Sequence, residues 1–129
     1  MNTDHHRPRI VLQRQPAETE RVRREIAESC RGLGRDTVAT AQLLATELFT
    51  NALHHGSGDI TMMVTRTPGE LRVDVADHGS EQPRVKTVTL NDVRGRGMMI
   101  LEALAVRWGV DTQDNGRGKT VWFVLRTTE

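Results

Sequence analysis

The chain has a single cysteine, Cys30, no tyrosine, and only two phenylalanines and two tryptophans. One thiol excludes an internal disulfide and fits a reducing compartment. So few aromatics exclude a sheet that stacks nucleobases on aromatic platforms. No apolar run is long enough to span a bilayer and no N-terminal stretch resembles a signal peptide, so the sequence reads as cytoplasmic and free of the membrane. An excess of charge of one sign is also missing. The net charge is +1 with acids and bases interspersed, which argues against direct nucleic-acid binding through bulk electrostatics. The most basic stretch, "RVRREIAE", is broken by Glu25 and Glu28 and reads as a solvated helix face.

What is present suffices for one domain. A chain of 129 residues can bury roughly two-thirds of its unfolded surface. Residues 1–8, "MNTDHHRP", are polar and are expected to form a flexible end; residues 9–129 are expected to form the domain. "RIVLQR" predicts a short edge strand. "PAETERVRREIAESCRGLG" opens on Pro16, closes on Gly32 and Gly34, and repeats Val22, Ile26, Cys30 and Leu33 at helical spacing. "DTVATAQLLATELFTNALHHG" predicts the strongest helix, with Asp36 as the expected N-cap and Gly56 as its end. "DITMMVTR" and "ELRVDVAD" alternate, with Ile60, Met62, Val64, Leu71, Val73 and Val75 inward and Pro68-Gly69 as the turn between them. A long aperiodic segment follows, then a short helix in "MMILEALAV", then two strands in "VRWGVDT" and "KTVWFVLR". This order predicts an α+β fold: two layers, helices on one face of a mostly antiparallel sheet.

Three features carry chemistry. On the strong helix, Glu47, Asn51 and His55 fall about forty degrees apart in turn, making one polar stripe on an otherwise apolar element. An Asn oxygen can ligate Mg²⁺, a Glu one turn earlier can orient a hydroxyl or take its proton, and a His can hydrogen-bond near phosphates. A plain exposed strip and a Glu/His/His zinc site are the alternatives at this point. Asp77 ends a strand, where an acceptor-only carboxylate can receive the exocyclic amine of adenine or simply start a turn. Gly95 and Gly97 precede the short helix, where backbone N–H groups and the helix dipole favour an anion, or where the glycines serve only as a permissive entrance. Gly118-Lys119-Thr120 looks like the end of a P-loop but fails, because Gln113 stands where the upstream glycine is required and a strand follows.

In order, "ELFTNALHHG", "DHG", "GRGMMIL" and "GRGKTVWFVL" resemble the N box, the two glycine boxes and the third conserved block of one nucleotide-binding fold. That Bergerat-type fold is shared by gyrase, heat-shock chaperones, histidine kinases and mismatch-repair ATPases. The chain most resembles its small single-domain branch, the anti-sigma-factor serine kinases and related bacterial regulatory ATP-binding proteins. The resemblance implies ATP and Mg²⁺ as cofactors, with Asn51 as the Mg²⁺ ligand and Glu47 as the catalytic carboxylate. It implies Asp77 on the adenine amine, Gly79 giving the nucleotide close approach, Thr120 near the base, Gly95 and Gly97 on the phosphate side, and residues 80–94 as a lid. His55 is counted with the binding residues. The implied partners are an anti-anti-sigma factor carrying a phosphoacceptor serine and a sigma factor, and such proteins often form homodimers. The first glycine box departs from Asp-x-Gly-x-Gly by placing Glu81 at its second glycine. That substitution keeps open the alternative of a non-catalytic partner-binding module with weak or lost nucleotide binding.

Overall fold

The computed structural model describes residues 9–78, 99–112 and 118–127. Its elements are β1 (Arg9–Leu12), a 3₁₀ turn (Pro16–Glu18), α1 (Thr19–Ser29), α2 (Arg35–His55), β2 (Ile60–Thr67), β3 (Glu70–Asp77), α3 (Met99–Leu104), β4 (Arg107–Thr112) and β5 (Lys119–Arg126). The strands form one sheet in the order β1-β2-β3-β5-β4, and every pairing is antiparallel. The α+β architecture read from the sequence is the architecture observed.

Period-two alternation sorts the strands. Ile60, Met62 and Val64 of β2, Leu71, Val73 and Val75 of β3, and Val121, Phe123 and Leu125 of β5 are all buried. They form one apolar surface, and the helices cover it. From α2 the matching stripe is Ala41, Leu44, Ala45, Leu48, Phe49 and Ala52, the three- and four-residue spacing of a helix with one core face. Val22 and Ile26 of α1 and Leu101 of α3 complete the cluster. The β2–β3 hairpin closes through Pro68-Gly69, with Gly69 at φ +86, a torsion glycine adopts without a Cβ penalty. The opposite sheet face is held by side-chain pairs: Arg72 bridges Asp74 at 2.9 Å and lies 4.3 Å from the Trp122 ring centroid, and Arg107 bridges Glu70 at 3.0 Å.

One expectation needs correction. Asp36 is not the N-cap of α2. Gly34 holds that position in an extended conformation without a side-chain cap, and Asp36 lies inside the first turn. A carboxylate there still favours the helix through the positive end of its dipole. The C-termini of α1 and α2 are treated differently, each by an arginine from a distant strand or loop. Arg66 of β2 donates to the carbonyls of Ser29 and Arg31 at 3.2 and 2.9 Å, at the end of α1, where carbonyls lack intrahelical partners. Cys30 sits beside that cap, and burial pushes its thiol upward, partly offset by the Arg66 charge; it is packing, not a nucleophile.

Phe49 has no exposed surface. Phe49→Ala is expected to lower stability by about 3–5 kcal/mol through lost transfer energy and the cavity left behind. His54→Ala, at an exposed position on the same helix, is expected to stay within about 0.5 kcal/mol. Urea unfolding of the two variants measures both.

Candidate functional site

The last two turns of α2 and the ends of β3 and β5 converge on one cleft, lined by Leu48, Asn51, Ala52, His55, Val75, Asp77, Lys119 and Val121. Its apolar floor comes from Leu48, Ala52, Val75 and Val121, and its polar groups from Asn51, His55, Asp77 and Lys119. An apolar cleft with a few convergent polar groups is the form small-molecule sites take.

Asp77 is the deepest of the polar groups, only 5 % exposed in a surrounding of aliphatic side chains. A buried carboxylate needs compensation, and part of it comes from Lys119, whose ammonium stands 3.3 Å from Oδ2. The two residues are register partners on adjacent strands, so both side chains rise from the helix side of the sheet. On its other flank the carboxylate lies against Gly56. That glycine has φ −109 and ψ −167, torsions open to any residue, so its constraint is steric: a Cβ there would overlap the Asp77 carboxyl group. The next residue is tied down as well, because His78 donates its backbone N–H to Ser57 at 2.9 Å.

Arg14 fixes this wall from behind. It reaches across from the connection between β1 and the 3₁₀ turn to the C-terminus of α2. Its Nη2 donates to the carbonyls of Ala52, Leu53 and Gly56 at 3.1, 2.6 and 2.9 Å, and its Nη1 to Gly58 at 3.4 Å. One planar, permanently charged fork therefore gathers carbonyls at the negative end of the helix dipole. No spacing rule in the sequence pointed to Arg14, which is separated from its acceptors by 38–44 residues.

Of the residues singled out from sequence, Asn51, His55 and Asp77 are brought together in the cleft. His55 is exposed at its edge. Glu47 lies one turn before Asn51 on α2, half-buried, and is not among the cleft-lining residues. Thr120 is not in the cleft either. Its neighbours Lys119 and Val121 are, and strand alternation puts Thr120 on the opposite face, paired in register with Ala76. The place beside Asp77 belongs to Lys119. Gly79, Gly95, Gly97, Glu81 and the segment 80–94 lie outside the described residues. Among the described residues no group of three His, Cys, Asp or Glu side chains is placed to hold a metal ion, so the zinc alternative finds no support there.

The donor set fits ATP and Mg²⁺ on two observations. The Asn51 side-chain nitrogen is buried and has no hydrogen-bond partner among the described residues, a deficit of about 1–3 kcal/mol that a polar ligand in the cleft would relieve. Because the two ends of an amide are assigned by their partners, Asn51 can equally turn its oxygen to a cation. The wall of Gly56, in turn, keeps Asp77 facing the cleft as an acceptor.

Two substitutions check this geometry by urea unfolding. Gly56→Ala is expected to lower stability by about 1–3 kcal/mol through overpacking, although its backbone torsions suit alanine. Arg14→Ala is expected to lose about 1.5–3 kcal/mol, the range for hydrogen bonds from a charged donor; Arg14→Lys should recover only part of it, because an ammonium lacks the fork.

Comparison with family models gives a match to the histidine kinase-like ATPase domain over residues 12–125. No curated protein matches the chain. The matched span runs from the end of β1 nearly to the end of β5 and takes in every residue of the cleft, and ATP-binding domains are what this family comprises. The chain belongs to the histidine kinase-like ATPase domain family.

Proposed function

We propose that the chain is an ATP- and Mg²⁺-dependent serine/threonine kinase that acts as an anti-sigma factor. In this reading it phosphorylates a serine of an anti-anti-sigma partner and sequesters a sigma factor. The observation that carries the nucleotide part is the cleft itself: a buried acceptor, Asp77, across an apolar floor from an amide, Asn51, that lacks a partner among the described residues. Support for the regulatory part is the resemblance of the four sequence boxes to the single-domain anti-sigma kinases.

Asn51 would hold Mg²⁺, a hard cation that takes few protein oxygens and completes its shell with phosphates and water. When bound, ATP and the metal supply the phosphoryl group and the neutralising charge for a loose transition state. Asp77 accepts the adenine amine, and Leu48, Ala52, Val75 and Val121 exclude water from the faces of the base. Glu47, half-buried one turn from Asn51, orients the acceptor hydroxyl and takes its proton late, since a carboxylate is a weak base toward an alcohol. Gly79, Gly95 and Gly97 remain assigned to the nucleotide's approach and phosphate side, and His55 to hydrogen bonding at the cleft edge. Homodimerisation through the β1 edge has support in Val11, 55 % exposed on a strand with a single described neighbour, β2.

Glu47→Ala is expected to abolish transfer of labelled phosphate from ATP to an anti-anti-sigma protein while changing ATP affinity by less than about threefold. Asp77→Asn should instead weaken ATP binding by tenfold or more, the scale of one charged hydrogen bond. Equal loss of binding in both variants would remove the catalytic role given to Glu47. Undetectable calorimetric heat with ATP and Mg²⁺ in the unmodified protein would favour the non-catalytic partner-binding reading that Glu81 suggests.

A further inference from the structure

The nucleotide reading uses Asp77 and leaves Lys119 unexplained. Lys119 is one of two lysines in a chain whose basic residues are otherwise arginine. It is the register partner of Asp77, its side chain is 14 % exposed, and its ammonium stands 3.3 Å from Asp77 Oδ2 inside the same cleft. An ammonium has three N–H donors. The described hydrogen bonds use one of them, on Asp77.

We propose that Asp77 and Lys119 form a two-point reader of the purine edge, in which the carboxylate accepts from the exocyclic amine of adenine and the Lys119 ammonium donates to the adjacent ring nitrogen N1. This rests on the ATP-binding reading of the cleft and adds the residue that sets base specificity.

The chemistry follows from the order of groups. Adenine presents a donor, the amine, next to an acceptor, N1. An acceptor and a donor side by side on β3 and β5 match that order. Guanine in the same orientation presents the reverse, an acceptor oxygen next to an N–H, so it would set oxygen against the carboxylate and N–H against the ammonium. A site built from paired polar groups rejects a mismatched analogue strongly because its own groups are then left without partners. The geometry also fixes the reader. Gly56 backs the carboxylate on one side and Lys119 flanks it on the other, while Arg14 holds the carbonyl of Gly56 at 2.9 Å. Lysine suits the role better than arginine: a compact charge on a flexible stem can keep its pairing with Asp77 and still turn a second N–H toward the base.

Calorimetric titration with Mg²⁺ and three nucleotides tests the assignment: ATP, 1-deaza-ATP, in which N1 is replaced by C–H, and 7-deaza-ATP, which keeps the edge intact. Unmodified protein is expected to bind 1-deaza-ATP about tenfold to a hundredfold more weakly than ATP and 7-deaza-ATP within about threefold of ATP. Lys119→Met is expected to bind ATP and 1-deaza-ATP alike. Should that variant fail to fold, because it removes the Lys119 ammonium from a buried carboxylate, the comparison on unmodified protein decides. Equal binding of ATP and 1-deaza-ATP by unmodified protein overturns the assignment. So does undiminished discrimination in Lys119→Met, which would give N1 to another group, and so does tighter ATP binding by that variant, which would make Lys119 a plug. No binding of ATP by unmodified protein overturns the nucleotide reading itself, and the Lys119 assignment with it.

Discussion

A carboxylate 5 % exposed at the end of a central strand is the constraint around which this end of the molecule is arranged. Burial penalises the charge, and the penalty is met only where partners stand close on several sides. Asp77 receives a cation from β5 through Lys119 and a side-chain-free wall from Gly56 at the exit of α2. Gly56 keeps its place because Arg14 grips the carbonyls of the helix terminus. Three segments distant in sequence from β3 are thereby gathered around one carboxyl group, directly through Lys119 and Gly56 and indirectly through Arg14, and Lys119 also lines the cleft. Lys119 thus both compensates the charge and lines the site.

The polar stripe on α2 makes sense in that setting. A helix with Leu44, Leu48 and Phe49 fully packed would gain more from apolar side chains than from an amide without a hydrogen-bond partner among the described residues. Asn51 is tolerated because the packing of the core stripe far outweighs its deficit of about 1–3 kcal/mol. Local cost held in place by surrounding structure is the usual condition of a functional site. His55 extends the stripe to the cleft edge, whereas Glu47 lies outside the cleft-lining set.

Much of this was legible in the sequence because it depends on local periodicity. The alternation in β2 and β3, the Pro68-Gly69 turn, the core stripe of α2 and the order of elements all follow from spacing two or spacing three to four. Asp77 and Asn51 were legible as chemistry because their types and places in ordered boxes are unusual for packing. What escaped was set by three-dimensional register. Thr120 and Lys119 are adjacent in sequence, and it is Lys119, paired in register with Asp77, that faces the cleft. Arg14 escaped because its four acceptors lie 38–44 residues away and its own neighbourhood carries no pattern. The start of α2 was placed two residues too late, at Asp36, because a glycine, with no side chain to announce it, holds the N-cap at Gly34.

The central claim is that the cleft between α2, β3 and β5 is where the nucleotide binds. An amide NMR titration with ATP and Mg²⁺ tests it most directly. The account predicts that the largest shifts fall on Asn51, Gly56, Asp77 and Lys119, while Trp122 and Arg72 on the opposite sheet face stay nearly unmoved. Shifts centred on that opposite face, or none at saturating ATP, would contradict it.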